Sequence, residues 1–356
     1  MTADVAIDGV FVGHFSDYEG LTGCTAVLAP TGVTASVDVR GGAPGTLETA
    51  LLSPYASVTE LHAVLLTGGS APGLGAAAGV SAFLRERGCG YRTQFARIPL
   101  VAAAVIYDLG LGDAQACPRP DDAYAAAAAA GRSAEEGSVG AGTGATVGKI
   151  LSGEGMMKGG IALSSVSVGG GVTVSALTVV NALGDVLDES GAILAGARRG
   201  GSFVGSKDLL LEADAAPLFS PLDSTTLSVV MTDADLDKLQ CGIVARMSHD
   251  GFARAIDPVH TPVDGDCVFV LATGVRKSNV FQVGAAAAEV VAMSIRRAVR
   301  VAWGLGGVPA VAELPGGGTS PGRGGAPGGR TSPGGGGSEA ATPRERPADE
   351  GSQAGR

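Results

Sequence analysis

The chain has 356 residues, a formal net charge of -10, 45% hydrophobic residues and only 4% aromatic ones. That length suits one large domain, and the composition supports a sizeable core built from Ala, Val and Leu rather than from rings. The acidic balance, with no basic cluster in the body of the chain, argues against nucleic acid as a partner, and no stretch is long and apolar enough to span a membrane as a helix.

Met1-Thr2-Ala3-Asp4 has neither a basic region nor an apolar core of signal-peptide length. Five cysteines (Cys24, Cys89, Cys117, Cys241, Cys267) are scattered, odd in number and without a CxxC pair, which indicates neither a disulfide framework nor a zinc site. The expectation is a reduced, cytoplasmic protein without metal or cofactor. Residues 5–30 carry two apolar runs, Val10-Phe11-Val12 and Ala26-Val27-Leu28, read as two strands. Residues 33–39 alternate and read as a third, ending in the loop Arg40-Gly41-Gly42-Ala43-Pro44-Gly45.

Leu61 to Leu66 reads as a compact buried strand, followed by Thr67-Gly68-Gly69-Ser70-Ala71-Pro72-Gly73 and a helix over 74–86 that stops at Gly88. Strand, glycine loop and helix in that order invite a phosphate-loop reading. The spacing does not fit GxGxxG, however, and no suitably placed acid follows, so the glycines are read as allowing close packing. Ser70 is not in a GxSxG elbow, because Pro72 stands at the second glycine. A strand over 99–109 ends in Tyr107-Asp108, and 121–131 reads as an Ala-rich helix. The run from Gly137 to Lys149 superficially resembles a Walker loop. Thr143 stands where that pattern needs Gly and Ile150 where it needs Ser or Thr, which excludes nucleotide binding there.

Residues 161–168 and 173–182 read as paired strands around Gly169-Gly170-Gly171. Asn181, at the end of the second, is either a satisfied turn residue or a donor of an amide N–H to an oxyanion. A loop-rich segment from Gly196 to Asp223 leads into Ser224-Thr225-Thr226-Leu227-Ser228-Val229-Val230-Met231, which is β-branched or apolar from Thr225 onward and reads as a buried strand. A hydroxyl residue that opens a strand after a flexible segment is a place where a chain can cut itself. The Thr225 hydroxyl would attack the Ser224 carbonyl, the ester would hydrolyse, and Thr225 would become a new N-terminus. Its α-amine, with an ordinary pKa of about 7.7–8.0, would then serve as base for its own hydroxyl. Thr is also an ordinary strand starter, and this stretch alone does not decide between the two.

A helix over 233–256 places Leu236, Leu239, Ile243 and Met247 on one face with Asp233 as N-cap; His249 on it is read as structural. Asp264 and Asp266, in the loop that enters a strand over 267–272, could hold a metal, orient an amine or make a turn; no further ligand cluster accompanies them, so a metal is not indicated. A last helix is expected over 285–303. From Pro315 to Arg356 no large apolar residue occurs, and this tail should be disordered. The expected organisation is one domain over 1–313 and a tail over 314–356.

Taken together, the stretches Leu21-Thr22-Gly23-Cys24-Thr25, Asp38 to Thr46, Leu66 to Ala71, Val139 to Lys149, Val180-Asn181-Ala182, Thr225-Thr226-Leu227 and Pro258 to Asp266 resemble, in content and order, the DmpA-type family of L-aminopeptidases/D-esterases. Its relatives include β-peptidyl aminopeptidases and nylon-oligomer hydrolases. The resemblance spans roughly residues 8–305. It implies an α/β (α+β) fold, a four-layer αββα sandwich, and self-cleavage between Ser224 and Thr225 into two associated chains. It implies Thr225 as nucleophile, Asn181 as oxyanion donor, and Asp264 and Asp266 as the acidic pair that orients the freed amine. Lys149 and Tyr107 fall on active-site positions, the first able to stabilise negative charge and the second to donate a hydrogen bond. Many members carry Asn or Gly where this chain has Ser224, and an aromatic is common where it has Pro72.

The expected activity is therefore that of an amidohydrolase acting as an aminopeptidase on peptides, amides or esters through an acyl-enzyme on Thr225. Alternatives are endo-hydrolysis of nylon-type oligoamides, acyl transfer to an amine, and, from another class, an uncleaved binding or scaffold protein. The expected state is a homo-oligomer, a tetramer or larger.

Overall fold

Strict two-residue alternation governs the sheet residues, and the side to which each parity points defines the layers. In the computed structural model, which describes residues 1–152, 154–212 and 224–314, the main strands and helices are β1 (Phe11–Asp17), β2 (Thr22–Val39), β3 (Glu60–Thr67), α1 (Ala77–Glu86), β4 (Val101–Val105), α2 (Pro120–Ala128), β5 (Gly160–Val168), β6 (Val172–Val180), β7 (Leu227–Ala234), α3 (Lys238–Ala255), β8 (Cys267–Arg276) and α4 (Val280–Val301). The tail expected to be disordered, and residues 213–223 before Ser224, lie outside the described residues.

The strands join in the order β5-β6-β7-β8-β2-β3-β4, with the short Thr46–Leu47 at the end and β1 on β2. β7 and β8 run parallel, as do β3 and β4; the other pairings are antiparallel. β2 is shared between two halves. Thr22 to Leu28 pair with β1, and Thr34 to Val39 pair with β8. The sheet therefore folds over on itself.

Three apolar layers follow from the alternation. Leu227, Val229 and Met231 of β7, Cys267, Phe269 and Leu271 of β8, and Leu177 and Val179 of β6 meet Val27, Leu61, Val64, Leu66, Ala102 and Ala104 from the other half, in a core between the two sheet layers. The opposite parity, Val230, Val268 and Val270, packs under α3 and α4. On the far side, Cys24, Ala26, Ala63 and Leu65 pack under α1 and α2. Helices, sheet, sheet and helices are stacked in that order, which is the expected four-layer αββα sandwich.

Some sequence expectations shift. Residues 26–28 and 33–39 belong to one strand of 18 residues, not two. Pro30-Thr31-Gly32 bends it, with Gly32 at φ +77 and a register shift between Leu28 and Val33, but does not end it. The helix after β7 is capped by Asp237, whose side chain accepts from the Gln240 N–H, rather than by Asp233. Asp233 instead accepts from the Thr173 N–H and from Arg276. The last helix begins at Val280, capped by Asn279, five residues before the periodicity alone suggests. The hairpin around Gly169–Gly171 forms as expected, with pairing from Gly160↔Val180 to Val168↔Val172.

Candidate active site

Because β7 and β8 are parallel neighbours, the segments entering them run side by side. The Ser224 N–H donates to the Val263 carbonyl at 2.9 Å, the Gly265 N–H to the Ser224 carbonyl at 2.7 Å, and the Thr226 N–H to Asp266 Oδ1 at 2.7 Å. Residues 224–226 are thus clamped onto 263–266 before the strand ladder starts at Leu227↔Cys267. Ser224, Thr225 and Thr226 are all buried. The Thr225 N–H donates across to the Asn181 carbonyl at 2.9 Å.

Asn181 follows directly on β6. Its Oδ1 accepts from Lys149 Nζ at 2.7 Å and from the Thr146 N–H at 3.0 Å, which fixes the amide the other way round from a free rotor. Its Nδ2 donates to the Tyr107 carbonyl at 2.9 Å. Lys149 is presented by a single turn of 3₁₀-helix, Lys149–Leu151, after Gly148 at φ +72; a Cβ at 148 would lie 2.1 Å from the Ala197 nitrogen. Its Nζ also donates to the Asn181 carbonyl at 3.1 Å and reaches Ser224 Oγ at 3.5 Å. Lys149 and the Thr225 nitrogen therefore share one acceptor oxygen.

Both carboxylates of the Asp264/Asp266 pair are buried. Asp264 accepts from the N–H (2.9 Å) and hydroxyl (2.5 Å) of Thr261, and Asp266 accepts from the Thr226 N–H and from His260. Burial, and then the charge of Asp266, push the Asp264 carboxyl up to about 6. In the continuous chain neither carboxylate accepts from the Thr225 nitrogen itself; they hold the residues on either side of the Thr225 peptide.

A cleft of about 370 Å³ opens beside this cluster, lined among others by Tyr107, Asp108, Thr146, Lys149, Glu154 and Met156. The wall at Asp108 is rigid: its carboxylate accepts from Thr22 Oγ1 at 2.7 Å and the Gly69 N–H at 2.7 Å. The glycine loop leaves room for this pair, since a Cβ on Gly68 would sit 2.2 Å from both Asp108 and Thr22. Beneath lies Lys158, fully buried, donating to the Thr143 carbonyl at 2.7 Å and drawn down to about 7 by burial.

Every sequence-chosen residue thus falls in one region: Ser224, Thr225, Asn181 and Lys149 in direct contact, Asp264 and Asp266 on the adjoining loop, and Tyr107 through its carbonyl and the cleft wall. Sequence reasoning missed the Gly265 N–H on the Ser224 carbonyl, for which the glycine between two aspartates was the available signal. It also missed His260, whose place beside Asp266 depends on a loop turn with no spacing signature.

Known proteins bear on this geometry. A β-aminopeptidase from Burkholderia sp. superposes with a TM-score of 0.63 at 22% identity, over 86% of this chain and 90% of its own. The L-aminopeptidase D-Ala-esterase/amidase of Ochrobactrum anthropi, described as a variant of the Ntn-hydrolase fold, gives 0.64 at 22% identity, over 86% and 88%. The fold is therefore that of the Ntn-type hydrolases. The model of peptidase family S58 matches residues 3–310. An uncharacterised aminopeptidase of Mycobacterium tuberculosis is 38% identical over 344 residues, 88% of this chain and 98% of that protein. A 6-aminohexanoate-oligomer endohydrolase of Kocuria sp. is 32% identical over 284 residues, 74% and 73% of the two chains. The chain belongs to peptidase family S58, and it is a peptide-bond hydrolase.

Proposed function

We propose that this protein is a self-processing aminopeptidase that cuts its own Ser224–Thr225 bond and then uses Thr225 as an N-terminal nucleophile. The observation that carries the reading is the held peptide at that bond. The Gly265 N–H polarises the Ser224 carbonyl, and the Asn181 carbonyl fixes the Thr225 nitrogen. Attack of Thr225 Oγ on the Ser224 carbonyl carbon forms a C–O bond as the C–N bond breaks, and the hydroxyl proton passes to the departing nitrogen. The Gly265 N–H is placed to stabilise the oxyanion of that step. Water then hydrolyses the ester and frees the α-amine.

The freed amine lies beside the acceptor it shares with Lys149. A cation that close disfavours the ammonium form, which keeps the amine available as base for Thr225 Oγ. A substrate entering the cleft past Tyr107 and Lys149 would acylate Thr225, the amine would protonate the leaving nitrogen, and water would release the acid. Asn181 is the candidate oxyanion donor for turnover, which requires its Nδ2 to exchange the Tyr107 carbonyl for the substrate oxygen. The second reading, endo-hydrolysis of oligoamides, is favoured by the two aspartates at 264 and 266 and by the likeness to the Kocuria enzyme. The cytoplasmic location and a homo-oligomeric state belong to the same proposal.

Intact mass spectrometry of purified wild type and Thr225→Ala tests it. Two masses meeting at Ser224/Thr225 in the wild type, a single mass in the variant, and loss of amide and ester hydrolysis are the expected result. An active, single-chain Thr225→Ala protein would overturn the nucleophile assignment, and a single full-length, inactive wild type would bring the scaffold reading forward. Release of amino-terminal residues against internal cleavage of 6-aminohexanoate oligomers separates the two substrate readings.

A further inference from the structure

Behind Asp266 stands a row of groups that the reaction as described does not use. His260 Nδ1 lies 2.8 Å from Asp266 Oδ2, His260 Nε2 lies 3.2 Å from His249 Nδ1, and His249 Nε2 lies 3.2 Å from the Asp38 carbonyl oxygen. Asp266 Oδ2 also accepts from the His260 N–H at 3.2 Å. His260 holds φ +55, a left-handed conformation that strains a non-glycine residue. With Asp266 ionised, both ends of the row, a carboxylate and a carbonyl, only accept, so three contacts need three protons. Two neutral imidazoles supply two.

We propose that this row holds the third proton on His260, as an imidazolium paired with Asp266, and that His260 is a positioning residue that keeps Asp266 ionised and aimed at the Thr225–Thr226 segment. With His260 donating from both nitrogens, His249 accepts at Nδ1 and donates Nε2–H to the Asp38 carbonyl, and every contact is satisfied. Burial and the neighbouring His260 draw His249 down to about 4, which keeps it the neutral member. The other charges facing the row are Asp38 and Arg40 at the end of β2, paired at 2.8 Å, with Asp38 Oδ2 3.5 Å from His249; Asp264 in the same loop; and Lys149, whose charge acts on Asp264. Aspartate and imidazolium together present Thr225 with a carboxylate whose charge is largely compensated. Without the imidazolium, the acidic pair would raise the pKa of the α-amine and leave it protonated at neutral pH.

The row itself exists in the uncleaved chain; its effect on rate rests on Thr225 being the nucleophile. The test therefore starts with nitrogen-15 NMR of imidazole-labelled Thr225→Ala protein at pH 7. Two protonated ring nitrogens on His260 and a single protonated Nε2 on His249 are expected. Two neutral rings would overturn the proposal, whether Asp266 is ionised or carries the third proton itself, and whether or not that variant is active. In the wild-type background, His260→Gln keeps a donor to Asp266 but removes the charge. The acid limb of kcat/KM should move to higher pH by about one unit, while an unmoved limb would leave His260 a structural contact. If His260→Gln does not fold, the spectrum decides alone. An active Thr225→Ala protein would remove the nucleophile reading and leave the proton count standing.

Discussion

Gly265 has room for a hydrogen and for nothing larger: a Cβ there would lie 2.7 Å from the Ala43 carbonyl oxygen and 2.8 Å from Thr225 Oγ1. The first contact is with backbone that cannot step aside, and the second is with the hydroxyl proposed as nucleophile. Gly265→Ala should therefore displace the N–H that donates to the Ser224 carbonyl, and intact mass spectrometry should show a folded protein left as one chain where the proposal expects the wild type to be two. Efficient cleavage in that variant would show that the amide is not needed. At Asp264 the expected effect is on stability. Its folded-state pKa, about 6, lies above the ordinary value of 3.8. Between those values the unfolded chain gives up its proton first, so folding loses stability as pH rises from about 4 to 6, and the full cost stands above that. Asp264→Asn should be more stable than the parent at pH 7, with the gain gone at pH 4, as read by urea unfolding at each pH. An equal gain at both would assign the effect to something other than charge. Thr225 and the two aspartates stood out in the sequence as chemistry-bearing types at the mouths of two strands, while the roles expected of them came from the family resemblance. The Gly265 amide left only the glycine between two aspartates as a signal, since a backbone N–H has no letter of its own, and the His260 contact left none, because a loop ring finds its partner only through the turn.

Between helices α3 and α4 two glycines face each other's surroundings, and they should respond differently to the same substitution. At Gly251 a Cβ would meet the Ala288 carbonyl oxygen at 2.3 Å and Val291 at 2.9 Å; at Gly284 it would meet the sulfur and methyl end of Met247. Replacing a helical glycine by alanine gains up to about 1 kcal/mol of propensity, whereas overpacking against fixed neighbours costs about 1–3 kcal/mol. Backbone cannot yield at Gly251, so Gly251→Ala should destabilise; a thioether has other rotamers, so Gly284→Ala should be neutral or mildly stabilising. Thermal unfolding of the pair checks this, and equal losses at both sites would mean that the helices cannot adjust even around Met247. The same pair of scales explains what was readable among the elements. Hairpin β5–β6 announced itself through alternation and a triple glycine. β2 did not, because Pro30 and Gly32 carry the signature of a break, and only pairing with β3 on both sides of them keeps the strand whole.

For the molecule as a whole, the proposed cut falls at the entry of a strand buried in the middle of the sheet. β7 pairs with β6 of the first piece from Val174↔Thr232 to Val179↔Leu227, and β8 pairs with β2 from Cys267↔Val39 to Ala272↔Thr34. Leu227, Val229, Met231, Phe269 and Leu271 lie in the layer between the sheet halves, and Val230, Val268 and Val270 lie beneath α3 and α4. The three valines pack within the second piece, whereas each of the five side chains that face the first piece is worth about 1.5–3 kcal/mol when buried, so these five together match or exceed the roughly 8 kcal/mol that holds a micromolar complex. The two chains should therefore co-elute as one species in native size-exclusion chromatography at submicromolar concentration. They should part only at the denaturant concentration where circular dichroism reports global unfolding. Separation before that transition would mean that the sheet is not continuous across the cut, and with it the shared β2 strand, on which the four-layer stack depends, would have to be redrawn.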